Sequence, residues 1–192
     1  MKEWKAWLGR GSMFVLSISQ AFALLKAANI GAEKRETMVD VGAGDGEVSR
    51  RFSHLYSKSF ATEISASMRK ALATKGYALL DTEDWWQEQR FDCVCMLNLL
   101  DRCSKPRSML QQARAALSPD GVLLLALVLP YKPYVEEGNN FEEQVTSFIH
   151  FMRNEMGFEI ASWARAPYLC EGDFAQAYYW LDDSVYVFKP IR

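Results

Sequence analysis

The sequence predicts an α/β fold: a seven-stranded, mostly parallel sheet with helices on both faces and an antiparallel pair of strands at one edge. Three features predict it. Strand and helix patterns alternate from residue 37 to 157. Two apolar runs, "FDCVCML" and "VLLLALVL", suit strands buried on both faces. The last two strand patterns follow each other with no crossover helix between them.

The elements follow in order. "SISQAFALLKAA" (17–28) has helical apolar spacing, with Ile18, Phe22 and Leu25 on one side, and Asn29-Ile30-Gly31 ends it. "TMVDV" (37–41) is a strand, "GEVSRRFSHLY" (46–56) a helix, and "SFATEI" (59–64) a second strand. "SASMRKALATKG" is a helix that Ser65 caps and Gly76 follows. "YALL" (77–80) is strand three and "FDCVCML" (91–97) strand four. "KPRSMLQQARAALSPDG" is a helix with Pro106 in its first turn and a turn at Pro119-Asp120-Gly121. "VLLLALVL" (122–129) reads as the central strand, and 141–157 as a helix ending at Gly157. Strands at 158–167 and 184–190, joined by 168–183, close the chain. Residues 1–192 form one domain: a helical or lid segment (1–31) ahead of a core (37–192).

With 192 residues, 49% hydrophobic and 24% charged, the balance is that of a globular domain with a sizeable core. A net charge of -2 argues against nucleic acid as partner, which would need a basic face. No run of about 18 apolar residues exists to span a membrane. The start, "MKEWKAWLGRGSMFVLS", is amphipathic and Trp-rich but has no signal peptide's apolar segment. Cys93 and Cys95 alternate within a strand and read as buried free thiols in a reducing compartment. No metal-ligand spacing is present. A cytoplasmic monomer is expected, with organelle or endomembrane association if the natural N-terminus is longer.

The strongest local signal is "VDVGAGDGEV" (39–48), a strand running into Gly42-Ala43-Gly44-Asp45-Gly46 and then a helix. Such loops allow tight turns and close approach of a ligand. The spacing is G-x-G-x-G, and Glu47 stands where a dinucleotide fingerprint has its third glycine. A glutamate there would repel a pyrophosphate. S-adenosylmethionine has no phosphate. Asp40 suits its ammonium group, directly or through water. Glu63, 23 residues after Asp40, can accept both ribose hydroxyls. After strand three, Asp81, Glu83 or Asp84 is placed to accept from the adenine amino group, with Glu83 preferred. The alternative is a glycine-rich turn in a domain that binds nothing.

In "CMLNLLDRC" (95–103), Asn98 and Asp101 follow strand four, in the crevice where ligands of open α/β sheets sit. Asp101 reads either as a helix cap or as a functional acid, and Ser104 lies nearer the helix start.

The order Asp40, Gly42, Gly44, Glu63 and the closing strand pair resembles the Rossmann-like class I methyltransferases. "LGRGSMFV", "ATEIS", "LNLLDRC", "LALVLPYKPYVE", "PYLCEGD" and "YYWLDDSVYVFKP" are similar to the DREV family, over about residues 8–190. That resemblance implies S-adenosylmethionine-dependent methylation of protein histidines at the pros nitrogen, in His-x-His stretches. It implies that Asn98, Asp101 and Tyr179 contact the imidazole. "LGRGSMFV" is expected to fold over the donor as a lid, with Arg10 either reaching a carboxylate there or standing as a plain surface residue. A class I methyltransferase with a small-molecule or other protein acceptor, a dinucleotide-dependent oxidoreductase and a silent donor-binding module are the rival readings.

Overall fold

The computed structural model describes residues 16–30, 35–129, 141–171 and 177–192. Helix α1 (Ile18–Ala27) opens on a capping box: Ser17 Oγ accepts the Gln20 N–H, and Gln20 Oε1 accepts the Ser17 N–H. Asn29, at φ 57°, turns the chain out of the helix. Next come β1 (Arg35–Val41), α2 (Glu47–Ser53), β2 (Tyr56–Thr62), α3 (Ala66–Thr74), β3 (Ala78–Leu79), α4 (Trp85–Glu88) and β4 (Phe91–Leu97). A 3₁₀ turn (Leu100–Arg102), α5 (Pro106–Ala116), β5 (Leu117–Val128), α6 (Phe141–Asn154), β6 (Phe158–Glu171) and β7 (Tyr178–Pro190) complete it.

The seven strands form one sheet in the order β3-β2-β1-β4-β5-β7-β6. Pairing is parallel from β3 to β5, and β7 runs antiparallel to both β5 and β6. The expected fold class is therefore the observed one. The chain leaves β1 in one direction along the sheet for β2 and β3, then crosses back to β4 and β5. The gap between the carboxyl ends of β1 and β4 is thus the topological switch point.

Strand alternation feeds two cores. Met38, Cys93, Cys95, Leu124, Val185 and Val187 meet α1 and α2 through Leu24, Leu25 and Phe52. On the other face Val94, Met96, Leu123, Leu125, Tyr186 and Phe188 meet α5 and α6 through Leu110, Phe148 and Met152. Cys93 and Cys95 lie on one face, fully buried, with sulfurs 3.6 Å apart. Among the described residues no helix is long and apolar enough to cross a membrane, and no cluster of His, Cys, Asp or Glu could hold a metal.

Several boundaries differ from the expected ones. β5 starts at Leu117, which pairs with Phe91, so Pro119-Asp120-Gly121 lies inside an irregular strand start rather than a free turn. Gly121 is tight there, since a Cβ would fall 2.7 Å from the Phe91 carbonyl. The final hairpin is longer at both strands, reaching Glu171 and Tyr178, so the segment joining them is much shorter than 168–183. α4 was not anticipated; it buries Trp85 completely. Neither Ser104 nor Asp101 caps α5; Lys105 holds the cap position with no side-chain bond. Ser65 does precede α3, but its hydroxyl pairs with Ser67 instead of capping.

Candidate active site

Gly42, Gly44 and Gly46 all adopt left-handed backbone, at φ 69°, 60° and 76°, which an L side chain resists. Each has different surroundings. A Cβ on Gly42 would fall 2.6 Å from Leu99 Cδ1, so the loop lies directly against the segment after β4. One on Gly46 would meet Leu72 at 2.6 Å and Tyr77 at 3.1 Å. One on Gly44 would meet nothing within 4 Å. Gly44 thus faces the open crevice, and Gly46 faces the protein. Gly44→Ala is accordingly expected to cost only about 1 kcal/mol of stability while weakening donor binding at least tenfold. Gly46→Ala should do the reverse, lowering the melting temperature first. Parallel melting curves and donor titrations check this contrast.

Glu63 is the first residue beyond β2 and is half-buried. Its Oε2 accepts the Gly44 N–H at 2.9 Å, while Oε1 accepts the N–H groups of Ile64 and Ser65, each at 2.9 Å. The carboxylate is therefore fixed at the loop's edge, and its other lone pairs can take hydroxyls. Arg69 ties the ends of β2 and β3 together by donating to the carbonyls of Glu63 and Leu80. The start of α2 already carries negative charge. Asp45 Oδ1 accepts the Glu47 N–H at 3.1 Å, and Glu47 turns aside to pair with Lys75 at 2.7 Å. That pairing holds Glu47 below the usual carboxylate range. The repulsion expected of a pyrophosphate thus comes from Asp45 at least as much as from Glu47, whose charge Lys75 offsets.

Asp40 lies at the end of β1 beneath the loop and is 2% exposed. Burial pushes its carboxyl up to about 7; a hydrogen bond to Ser49 opposes this, and the charges of Glu63 and Asp45 add to it. Ser49 in turn bonds the Tyr77 hydroxyl at 2.8 Å. A cation near Asp40 favours its ionised form, so binding a cationic ligand here should release a proton. Affinity for the donor is then expected to rise with pH up to about 7 and level off above, by up to about tenfold per unit. Calorimetric titration in buffers of different ionisation enthalpy measures the proton released; Asp40→Asn should abolish it. Glu83 is exposed, and its N–H is taken by Asp81 Oδ1 at 2.8 Å, which folds Asp81 back onto its own turn.

Asn98 closes β4 with a left-handed backbone at φ 55°, unusual for a residue other than glycine. Its side chain turns inward. Nδ2 donates to Asp183 Oδ2 at 2.9 Å and to the Tyr168 hydroxyl at 3.3 Å. Asp183 is fully buried, and burial pushes its carboxyl up to about 7 against the opposing Asn98 bond. Asp101 sits one turn beyond Asn98 in the 3₁₀ turn, exposed, with its carboxylate 3.4 Å from Arg102 Nε. Asn98 and Asp101 therefore face different surroundings: one the hairpin, the other solvent. Tyr179 is half-buried on β7, on the same face as Leu181 and Asp183 by strand alternation. Four residues of strand put it roughly 13 Å from Asp183. Arg10 and "LGRGSMFV" lie outside the described residues.

Asp183 and Tyr168 were not predicted as partners of Asn98. One signal was present for Asp183: it continues the inward alternation Val187, Val185, Asp183, an acid where an apolar residue belongs. A separate cleft of about 740 Å³ opens at the opposite end of the sheet, beside Arg90, Arg114 and Arg192. Arg114 is committed there to the carbonyls of Gly157 and Ile191, and Arg192 to Asp120, so that cleft is set apart from the switch point.

A sheet of this order, with a glycine loop after β1, a fixed carboxylate after β2 and polar residues after β4, defines the class I methyltransferase architecture. Solved structures agree. PH1948 of Pyrococcus horikoshii is similar at 17% identity with a TM-score of 0.65, covering 89% of this chain and 81% of that one. Precorrin-6y C5,15-methyltransferase of Geobacter metallireducens GS-15 matches at 14% identity and TM-score 0.57, covering 90% and 88%. DhpI, in its complex with SAH, matches at 16% identity and TM-score 0.59, covering 90% and 85%. Sequence narrows this further: the chain belongs to the DREV methyltransferase family, whose profile matches residues 3–190. It is a methyltransferase.

Proposed function

We propose that the chain transfers a methyl group from S-adenosylmethionine to the pros nitrogen of histidine in His-x-His stretches of proteins. One observation carries this reading. Asp101 is a partly exposed carboxylate on the turn just beyond β4, and its neighbour Leu99 packs on Gly42 of the glycine loop. An acid is thereby available beside the crevice that would receive the methyl acceptor.

Bound S-adenosylmethionine supplies an electrophilic methyl group on a sulfonium. Glu63 would accept its ribose hydroxyls, Asp40 would favour its ammonium group through buried charge, and Gly42 and Gly44 would let it approach the backbone. Glu83 would accept from the adenine amino group. Neutral imidazole has one N–H and one lone pair. Asp101 would accept the N–H on the tele nitrogen, fix that tautomer and leave the pros lone pair bare. It would also stabilise the positive charge that grows on the ring, as the triad aspartate does for histidine in serine proteases. The exposed pair with Arg102 is worth little and gives way readily to such a contact. Asn98, whose amide is committed to Asp183 and Tyr168, would shape the wall beside the ring, and Tyr179 would approach the ring from the hairpin end. No strong base is needed, because an imidazole with the ordinary pKa of about 6.5 is mostly neutral above about pH 7, and the tele proton of the methylated ring leaves to water once S-adenosylhomocysteine has formed.

Incubation of a His-x-His peptide with labelled donor, followed by mass spectrometric mapping, tests the reading. A methyl on histidine is expected. Label only on another residue, or only on a small-molecule acceptor, rejects it.

A further inference from the structure

At the Asn98–Asp183 contact two buried oxygens have no hydrogen-bond partner: Asn98 Oδ1 and Asp183 Oδ1. Both are acceptors, and a buried acceptor without a donor is costly. Yet the other half of the same contact is well made, with Nδ2–H donating to Asp183 Oδ2 at 2.9 Å. One proton on Asp183 would correct both defects together. A carboxyl O–H at Oδ1, donating to Asn98 Oδ1, completes the two-point ring that a carboxylic acid and a primary amide form. Reversing the amide gives the same answer, since it would set two oxygens 2.9 Å apart, a distance that also needs a proton.

The surroundings favour the neutral acid. Asp183 has no exposure to water. The negative charges of Asp101, on the 3₁₀ turn, and Asp182, on its own strand, oppose its ionisation; Arg102 favours it. Asp182 is itself paired with Arg165 of β6. The Tyr168 hydroxyl, also from β6, meets Asn98. We propose that Asp183 is held as a neutral acid that shares its proton with Asn98, and so acts as the positioning residue that locks Asn98 beside the methyl acceptor. The functional half of this rests on the acceptor reading above. When Asp183 ionises, the Nδ2–H···Oδ2 bond remains but Asn98 Oδ1 loses its donor and faces a bare carboxylate oxygen, so the two-point pairing reduces to one bond about which the amide can turn, and transfer slows on the alkaline side.

Two measurements test it. Infrared difference spectroscopy at pH 6, without substrate, should show a protonated-carboxyl band in the wild type that is smaller in Asp183→Asn and fades as pH rises to 8.5. An unchanged band in that variant overturns the proposal. Should the variant not fold, Asp40→Asn removes the other buried acid, and a remaining band supports the proposal while its absence overturns it. Methyl transfer by the wild type should fall about fivefold or more between pH 7 and pH 9. Asp183→Asn can pair reciprocally with Asn98 but carries no titrating proton, so its profile should be flat there. A decline persisting in that variant overturns the positioning role. Failure of the acceptor reading looks different: no methylated histidine, with the infrared band intact.

Discussion

Asp101→Asn is expected to lower the turnover number for histidine methylation by about 10²- to 10³-fold, with donor affinity changed less than about twofold. The size follows from the task assigned to the carboxylate. It would fix one tautomer and offset charge that exists only as the methyl arrives, and removing such a transition-state contact costs about 3–4 kcal/mol. Asparagine keeps the shape and can even accept the tele N–H, but it brings no charge. The donor should not notice, because Asp101 lies beyond β4 on the exposed 3₁₀ turn while the glycine loop and Glu63 lie at β1 and β2. Single-turnover kinetics beside a donor titration separates the two effects. Equal losses in both would mean that Asp101 supports the donor pocket and not the acceptor.

Glu63→Ala should show the opposite bias, weakening the donor about 100-fold or more. Hydrogen bonds to a charged group contribute about 1.5–3 kcal/mol each, and the ribose offers two hydroxyls. A second loss comes from the protein itself. The N–H groups of Gly44, Ile64 and Ser65 all point at this carboxylate, so its removal leaves three donors without their acceptor and loosens the loop before any ligand arrives. A lower melting temperature should therefore accompany the lost affinity. Saturating donor should restore part of the turnover, as it would not for Asp101→Asn. Unchanged donor affinity in Glu63→Ala would reject the ribose role.

The positions of these two residues in the fold are legible in the sequence for different reasons. Glu63 is readable from its distance after the glycine loop, because β1, α2 and β2 follow one another and local patterns set their approximate lengths. The apolar pattern at 59–64 runs two to three residues later than β2 itself, yet its carboxyl end is close enough to leave Glu63 at the loop. The place of Asp101 just beyond β4 follows from the end of a continuous apolar run, whereas its role at an imidazole is implied only by the resemblance to the DREV family. Asn98 shows the limit. Its partner Asp183 lies 85 positions away on an antiparallel strand, and no local pattern gives the register of β5 against β7. The hairpin's length was hidden for a related cause. Residues 168–171 and 178–182 pair with each other beyond the end of β5; "YLC" and "YYWL" suit strands, but among the described residues no third strand lies beside them to mark how far the hairpin runs. "LSPDG" misled in the other direction: Pro, Asp and Gly mark turns, and here they begin a strand at an irregular register. α4 is four residues long, too short for any helical period to appear.

The decisive measurement is a crystal structure with a His-x-His peptide and S-adenosylhomocysteine bound together. The prediction is an Asp101 carboxylate oxygen about 2.7–2.9 Å from the tele nitrogen, with the pros nitrogen aimed at the sulfur. An imidazole whose tele nitrogen points at the sulfur, with Asp101 facing open solvent, would contradict it.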